Sequence, residues 1–189
     1  TVLGLRENSN RSSGVVWVRS TGVNQKGEMV LDYVRWVMVH KRDPAAEVGA
    51  PVVPTTAPAV APEQLIVPAG LTFQSFDTVA SGSADRWADY APGERIDHVS
   101  GMTLEDSDHM FSTRLYQNTA KVHFNQFEQA KGRFGKRLIY GGHIISMARA
   151  LSFNGLANAQ LIAAINAGAH TNPAFADDTV YAWSEVLDK

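Results

Sequence analysis

The stretch YQNTAKVHFN, residues 116–125, places a histidine five positions after an amide side chain. An unperturbed imidazole titrates at about pH 6.5, so a residue such as His123 can take up or release a proton near neutrality. Asn118 can donate and accept hydrogen bonds, but its amide does not titrate. The two residue types therefore allow proton transfer at one position and hydrogen bonding at the other.

Both residues also have structural interpretations. His123 can be a structural histidine whose ring nitrogens are satisfied by the backbone, and Asn118 can be a turn residue that hydrogen-bonds its own backbone. The stretch alone leaves these alternatives open.

Gly141 and Gly142 open a second informative stretch, GHIISMARALSF, residues 142–153, which carries one formal charge. Because it is apolar nearly all round, we expect a buried helix that stops at Asn154-Gly155. Backbone N–H groups at the start of a helix can stabilise negative charge, and glycine leaves room for a reactant to approach them.

The segment KGRFGKR, residues 131–137, concentrates positive charge around two glycines. Arginine and lysine suit phosphate groups, so the segment is a candidate anion-binding loop. The alternative is a solvated loop without a ligand. Among the other histidines we expect His143 to be a satisfied core residue. The remaining four, expected at the surface or in packing positions, are His40, His98, His109 and His170. No pair has the spacing of metal ligands.

The elements that position these residues begin with a β-rich region. Residues 14–20 and 29–41 are rich in Val, Trp, Tyr and Met and flank the turn-forming residues 24–27, which predicts a long antiparallel hairpin. The second strand is apolar on both faces, so we expect it to be central. Residues 43–64 contain five prolines and predict an extended linker between two domains. Residues 65–91 indicate loops and short helices.

The second half continues with a short strand at residues 94–100. Thr103 to Asp106 has the spacing of a capping box and predicts a helix start. The apolar stripe expected on that helix consists of Met110, Phe111 and Leu115. Two β-like runs, residues 160–167 and 178–187, close the chain.

A buried helix wrapped by a bent antiparallel sheet is the hot-dog architecture, of α+β class. Residues 178–185 resemble residues 1–7 in pattern, which predicts a tandem double hot dog and a segment of a longer chain. We expect residues 1–42 to be the last strands of a first unit, 43–64 a linker, and 65–189 the front of a second unit.

Composition narrows the function. A net charge of −2 argues against nucleic acid as a partner, and the absence of cysteine excludes disulfides and thiolate chemistry. No apolar run reaches the roughly 20 residues that span a bilayer. We therefore expect a cytoplasmic protein without a membrane partner.

Two sequence stretches resemble the MaoC-like hot-dog hydratases: RLYQNTAKVHFN, residues 114–125, and RLIYGGHIISMARALSFNGLANA, residues 137–159. Within that family these stretches are most similar to the 2-methylfumaryl-CoA (mesaconyl-CoA) hydratases. The resemblance extends to RENSN, residues 6–10, and RWVMV, residues 35–39.

The resemblance implies roles for several residues. His123 falls at the catalytic histidine of the family and Asn118 at its catalytic aspartate. The implied oxyanion and substrate-binding residues are Tyr140, Gly141 and Gly142, and those implied for coenzyme A are Arg133, Lys136 and Arg137.

Asn118 departs from the family pattern because an amide cannot replace an acid. Three alternatives remain open: His123 carries both proton transfers, another acid such as Asp106 or Asp108 substitutes, or the substrate's own carboxylate takes part.

The implied activity is that of a hydro-lyase interconverting 2-methylfumaryl-CoA and β-methylmalyl-CoA. No metal or redox cofactor is implied, since coenzyme A is part of the substrate, and the expected assembly is a homo-oligomer, a dimer or higher. The alternatives are another MaoC-like enoyl-CoA hydratase, a non-catalytic acyl-CoA-binding hot dog and, less favoured, a thioesterase.

Overall fold

The computed structural model describes residues 1–189 and contains two compact units, Thr1–Ala59 and Val60–Lys189. The division lies inside the proline-rich segment 43–64. The first unit is built from β-strands, and the second combines strands with helices. The assignment of these units to a first and a second hot dog stays a prediction.

The first unit is a three-stranded antiparallel sheet of β1 (Val2–Glu7), β2 (Ser13–Val23) and β3 (Met29–His40), in that order. β2 and β3 form the predicted hairpin. Asn24 organises the turn because its side-chain oxygen accepts hydrogen bonds from two backbone N–H groups of the next four residues. Gly27, with φ of +80°, supplies the left-handed conformation that the turn needs.

The expectation that β3 is a central strand is wrong for this sheet. β3 lies at the edge, with β2 as its neighbour, and most of its side chains are exposed on both faces. The apolar composition of β3 indicates that its residues favour a strand. A central position also requires a pairing strand on each side, which composition does not indicate.

The linker region contains no strand or α-helix, but it is not a free spacer. Val52 donates its backbone N–H to Leu5 of β1 at 2.9 Å. The carbonyl of Val52 lies against Gly4, which leaves no room for a side chain at that position. Part of the segment is therefore fastened along β1, and a short 3₁₀ helix follows at Pro62–Gln64.

The second unit pairs β4 (Arg95–Thr103) with β5 (Thr179–Glu185) in an antiparallel sheet, which confirms strands in these two predicted regions. Its helices are α1 (Asp106–Leu115), α2 (Gln126–Gln129), α3 (Gly141–Leu151) and α4 (Phe153–Leu156), with 3₁₀ turns at Trp87–Asp89 and Lys121–His123.

The core of the second unit lies between α3 and the sheet. Its buried apolar side chains are Leu104, Ile139, Met147 and Leu151. The position of the long helix is confirmed, but the expectation that it is buried nearly all round is wrong, because Ile145 and Ser146 are exposed. The two strands cover one side of α3 and leave the other side open.

The predicted ends of two helices need correction. α3 ends at Leu151, and Gly155, with φ of +108°, interrupts the short turn that follows. The capping box at Thr103 does not form, since Thr103 belongs to β4 and its hydroxyl pairs with Thr179. α1 begins at Asp106 without a side-chain cap.

The expected buried face of α1 is also wrong. Phe111 and Leu115 are exposed, and the buried residues are His109 and Thr113. Both pairs are four residues apart, so both satisfy helical periodicity. The neighbouring segments, and not the hydropathy of the stripe, decide which face is covered.

Residues 160–167 form no strand, contrary to the prediction. Every residue in this run is exposed, and β4 and β5 pair with each other. A β-like run without a partner strand leaves its backbone groups to solvent, so the pattern alone does not produce a strand.

Candidate active site

His123 is held by the backbone of a neighbouring segment. The N–H of Leu138 donates to the carbonyl of Val122 at 3.1 Å, and the carbonyl of Leu138 lies 3.1 Å from Nδ1 of His123. A carbonyl only accepts hydrogen bonds, so Nδ1 carries the proton in this contact. In the neutral ring the lone pair is therefore on Nε2, which is the atom available to act as a base.

Tyr140 connects His123 to the start of α3. Its ring centroid lies 5.7 Å from that of His123, and it is the N-cap residue of the helix. The phenol ring also covers Gly142, where an added Cβ would lie 2.6 Å from Cζ of Tyr140. A side chain at position 142 would therefore displace the ring of Tyr140 from this place.

The first turn of α3 presents free backbone donors. The N–H groups of His143 and Ile144 bond to the carbonyl of Tyr140, at 2.9 and 3.4 Å, whereas those of Gly141 and Gly142 have no acceptor in the chain. The helix dipole adds partial positive charge at this end. The imidazole of His170 lies against Gly141 and leaves no space for a side chain there.

Asn118 lies in different surroundings from His123. Its side-chain oxygen accepts a hydrogen bond from the backbone N–H of Ala120 at 2.8 Å, and no hydrogen bond joins it to His123. This contact is the turn interaction that the sequence left open for it. Asn118 also lines a cavity of about 270 Å³, whose other residues are Met110, Thr113, Arg114, Gln117 and Phe124.

Asp106 and Asp108, the two acids that could replace the missing aspartate, differ in their contacts. Asp106 forms an ion pair with Arg137, whose guanidinium also donates to Sδ of Met110 at 2.8 Å. Asp108 is exposed on α1. Neither carboxylate is hydrogen-bonded to His123.

The segment of residues 131–137, the basic loop, contains cations with and without a carboxylate partner. The guanidinium of Arg133 lies 5.0 Å from the ring of Phe134, and the ammonium of Lys136 lies 4.3 Å from the ring of Phe175. Neither cation has a carboxylate partner, so both remain available for an anion. Arg137, with its ion pair and a mostly buried side chain, is engaged within the fold.

His109 lies beside both His123 and His143. His109 is 0% exposed, and its ring centroid lies 6.3 Å from that of His123 and 6.5 Å from that of His143. Burial, followed by the nearby charge of His123, lowers the pKa of His109 to about 4. The ring is therefore neutral at physiological pH.

The structure corrects the expectation for His143, and it shows that His109, expected at the surface or in a packing position, is buried without hydrogen-bond partners. His143 is not a satisfied core residue, because its Nε2 is buried without a partner. Both ring nitrogens of His109 also lack one. His98, in contrast, is a packing residue whose nitrogens contact the carbonyl of Asn154 and the hydroxyl of Ser184. No group of three His, Asp or Glu side chains is arranged to hold a metal ion.

Sequence reasoning therefore missed His109 and His170 as neighbours of the site. The available signal for His109 was its i, i+4 spacing with Thr113, which marks a second helical face on α1. His170 has no such signal, since its contact with Gly141 joins positions 29 residues apart in a segment without regular structure.

Comparison with known proteins identifies the family. The family model described as mesaconyl-CoA hydratase matches residues 1–189. The chain is 64% identical to a mesaconyl-CoA hydratase of Cereibacter sphaeroides and 57% identical to a β-methylmalyl-CoA dehydratase of Chloroflexus aurantiacus. All of this chain is covered in both alignments, but it spans only 54% and 53% of the two relatives, about half their length.

Solved structures establish the fold. A MaoC domain protein of Chloroflexus aurantiacus superposes with a TM-score of 0.95 at 56% identity, over 100% of this chain and 54% of that one. A Mycobacterium tuberculosis protein described as a double hotdog superposes with a TM-score of 0.61 at 25% identity, over 95% and 53%. The predicted hot-dog fold is confirmed. With a match along its whole length, this chain belongs to the mesaconyl-CoA hydratase family.

Proposed function

We propose that the protein is a hydro-lyase that reversibly adds water to 2-methylfumaryl-CoA (mesaconyl-CoA) and yields β-methylmalyl-CoA. The observation that carries the proposal is His123, whose Nε2 lone pair is left free by the bond from Nδ1 to Leu138 and whose ring lies 5.7 Å from that of Tyr140, the N-cap residue of α3. The substrate is taken from the names of the two relatives with 64% and 57% identity.

In the hydration direction, Nε2 of His123 removes a proton from water while the hydroxide oxygen bonds to the β-carbon of the enoyl thioester. The electron pair of the double bond moves toward the α-carbon and the thioester carbonyl, so negative charge builds on the carbonyl oxygen. The imidazolium then returns its proton to the α-carbon. The sum is the addition of one H and one OH across the double bond.

The free N–H groups of Gly141 and Gly142 are the proposed oxyanion donors. Their partial positive charge would oppose the charge on the thioester oxygen, and removal of one such donor commonly costs about 10²–10³ in rate. The ring of Tyr140, between this turn and His123, would form a wall of the substrate site.

His123 is proposed to carry both proton transfers. Asn118 cannot titrate, and Asp106 is already engaged with Arg137. Asn118 is then left with hydrogen bonding, either to its own turn or to a polar group of the substrate in the cavity that it lines.

Coenzyme A phosphates are proposed to contact Arg133 and Lys136, whose charges have no carboxylate partner. A contact between Arg137 and coenzyme A stays a prediction. The guanidinium of Arg137 already pairs with Asp106, so its charge is less available for a phosphate.

The test is the conversion of mesaconyl-CoA by the purified full-length protein, followed by liquid chromatography of both thioesters. Crotonyl-CoA, which lacks both the free carboxylate and the α-methyl group of mesaconyl-CoA, is the comparison substrate. Selective conversion of mesaconyl-CoA supports the proposal. Equal or better turnover of crotonyl-CoA would instead favour a general enoyl-CoA hydratase, and binding without turnover would favour a non-catalytic acyl-CoA module.

No helix of the structure is both long and apolar enough to cross a membrane. A cytoplasmic location and assembly into a homo-oligomer are part of the proposal. Cell fractionation and light scattering on the full-length protein check these two points.

A further inference from the structure

Arg114, in the last turn of α1, is a cation without a carboxylate partner. On a helix surface the neighbours of a side chain lie three and four positions away. No acid occupies these positions around Arg114, which hold Met110, Phe111, Gln117 and Asn118. Arg137, by contrast, is paired with Asp106. Arg114 is an exposed residue, so its free charge acquires a meaning only through the cavity beside it.

That cavity has a volume of about 270 Å³, and Arg114 is its only charged residue. Sites that hold a whole drug-sized ligand have volumes of about 300–1,000 Å³, so this one suits a small part of a larger molecule. Two primary amides, those of Gln117 and Asn118, line it together with Arg114, and no carboxylate does. The cavity therefore favours a small anionic group.

Gln117 reaches the cavity from a backbone conformation that favours glycine. Its φ is +49°, in the left-handed region, at the turn that ends α1. Its N–H donates to the carbonyl of Arg114 at 3.1 Å, and the N–H of Asn118 donates to that of Thr113 at 2.9 Å. Glycine is the usual residue at this position of such a turn. Glutamine strains the backbone here and adds an amide to the cavity wall, and strain of this kind is concentrated at ligand sites.

Asn118 contributes hydrogen-bond donors. Its side-chain oxygen accepts from the N–H of Ala120, so the NH₂ group is the part of the amide left for a ligand. The hydroxyl of Thr113 is engaged, because it donates to the carbonyl of His109 at 2.8 Å. The polar side chains left to a ligand are thus one guanidinium and two amides, which are donors that suit a carboxylate.

The cavity adjoins the segment that carries the candidate base. Phe124, which lines it, directly follows His123 at the end of the 3₁₀ turn. Thr113, on the opposite wall, bonds to His109, whose ring lies 6.3 Å from that of His123. In 2-methylfumaryl-CoA the free carboxylate is attached to the β-carbon, which is the carbon that receives the hydroxide. A site for this carboxylate must lie beside the base, and the cavity meets that condition.

We propose that Arg114, with the amides of Gln117 and Asn118, binds the free carboxylate of 2-methylfumaryl-CoA and so determines selectivity for a carboxylated enoyl thioester. The proposal rests on the proposed function and names the recognition group of the same site. The carboxylate keeps its charge in substrate and product. Its contact with Arg114 therefore contributes mainly uniform binding energy, which is measured as KM.

The test compares mesaconyl-CoA with tiglyl-CoA, in which a methyl group replaces the free carboxylate and the α-methyl group is kept. Arg114→Gln in the full-length protein should raise KM for mesaconyl-CoA at least about tenfold with kcat little changed. Hydrogen bonds to charged groups contribute a factor of about 10–100, and the exposed position of Arg114 places it at the lower end. Turnover of tiglyl-CoA should be unchanged. Arg114→Lys keeps the charge without the planar fork and should recover part of the affinity.

Two further variants separate ligand binding from folding. Gln117→Gly relieves the left-handed backbone but removes the amide, so it should keep or raise the melting temperature and still raise KM for mesaconyl-CoA. Arg42→Gln, at an exposed arginine without an ion pair in the first unit, is the matched control and should leave both substrates unaffected.

A binding measurement makes the result independent of turnover. Calorimetry with the saturated analogues, 2-methylsuccinyl-CoA with its thioester at C1 and 2-methylbutyryl-CoA, should show that the wild type prefers the carboxylated thioester and that Arg114→Gln abolishes the preference. An equal loss of affinity for both analogues would assign Arg114 to a phosphate of coenzyme A and overturn the inference, as would no loss at all. If the wild type does not hydrate mesaconyl-CoA but Arg114→Gln abolishes the preference, the proposed function fails and the carboxylate site stands. Hydration of mesaconyl-CoA with an unchanged KM in Arg114→Gln has the opposite meaning.

Discussion

The ring of Tyr140 lies 5.7 Å, centroid to centroid, from the imidazole of His123. Tyr140 is the N-cap residue of α3, and its ring covers Gly142, so one side chain joins the candidate base to the free N–H groups of the helix. The geometry of the site therefore depends on a contact between two residues that come from a 3₁₀ turn and from a helix start 17 positions later.

Replacing His123 tests the base directly. His123→Ala should lower kcat for mesaconyl-CoA hydration by about 10²–10⁴, the usual contribution of a positioned acid or base. The matched control is His40→Ala, at an exposed histidine of β3 in the first unit, which should leave kcat unchanged. Wild-type turnover in a folded His123→Ala protein would remove the proposed mechanism.

Asn118 should behave as a non-titrating residue. Asn118→Ala is expected to reduce kcat less than His123→Ala and to keep the shape of the pH–rate profile. Asn118→Asp adds a negative charge in this region, which favours the protonated form of His123 if the two lie close in the complex, and the limb that reports His123 should move to higher pH. A profile that is identical in Asn118→Asp would place Asn118 outside the electrostatic reach of the base.

Gly142→Ala should displace the Tyr140 ring. The added Cβ would lie 2.6 Å from Cζ of Tyr140, so the phenol must move away from its place beside His123. We expect kcat/KM to fall at least about tenfold even though alanine favours helix more than glycine by about 1 kcal/mol. Gly168→Ala, where a Cβ meets nothing within 4 Å, is the control and should keep full activity. Equal activity in the two variants would contradict the role of Tyr140.

The basic loop should separate binding from stability. Replacing Arg133 and Lys136 together by Ala is expected to raise KM for the CoA thioester with kcat unchanged, because a phosphate contact remote from the reaction contributes uniform binding energy. Arg137→Ala should instead cost about 1 kcal/mol of stability through the lost pair with Asp106. Steady-state kinetics and urea unfolding measure the two effects, and an unchanged KM in the double variant would mean that the loop is only solvated.

The lowered pKa of His109 predicts that the stability of the fold depends on pH. Its folded pKa of about 4 lies below the ordinary imidazole value of about 6.5, so the unfolded chain binds more protons between these pH values. The stability that depends on a neutral His109 ring is complete above about pH 6.5 and is lost as the pH falls toward 4. Urea midpoints at pH 7.5 and 5 should therefore differ less in His109→Phe than in the wild type, whereas His40→Gln should match the wild type. Identical differences in all three proteins would show that His109 does not titrate in this way.

The sequence by itself determined the chemical types of the site and most regular elements. The β2–β3 hairpin, β4, β5 and the helix after Gly141-Gly142 follow from local periodicity and turn residues, which act over a few positions. The sequence stretches around His123 and Gly142 also indicated the family, which the match of the family model over residues 1–189 confirmed.

Only the tertiary structure decided which faces are covered and which side chains meet. α1 offers two helical faces of equal period, and packing buries the one with His109 instead of the more apolar one with Phe111. Residues 160–167 have a β-like pattern but no partner strand. Local patterns record propensity and period, whereas burial and hydrogen-bond pairing depend on contacts between segments far apart in the chain, as in the approach of His109, His123 and His143.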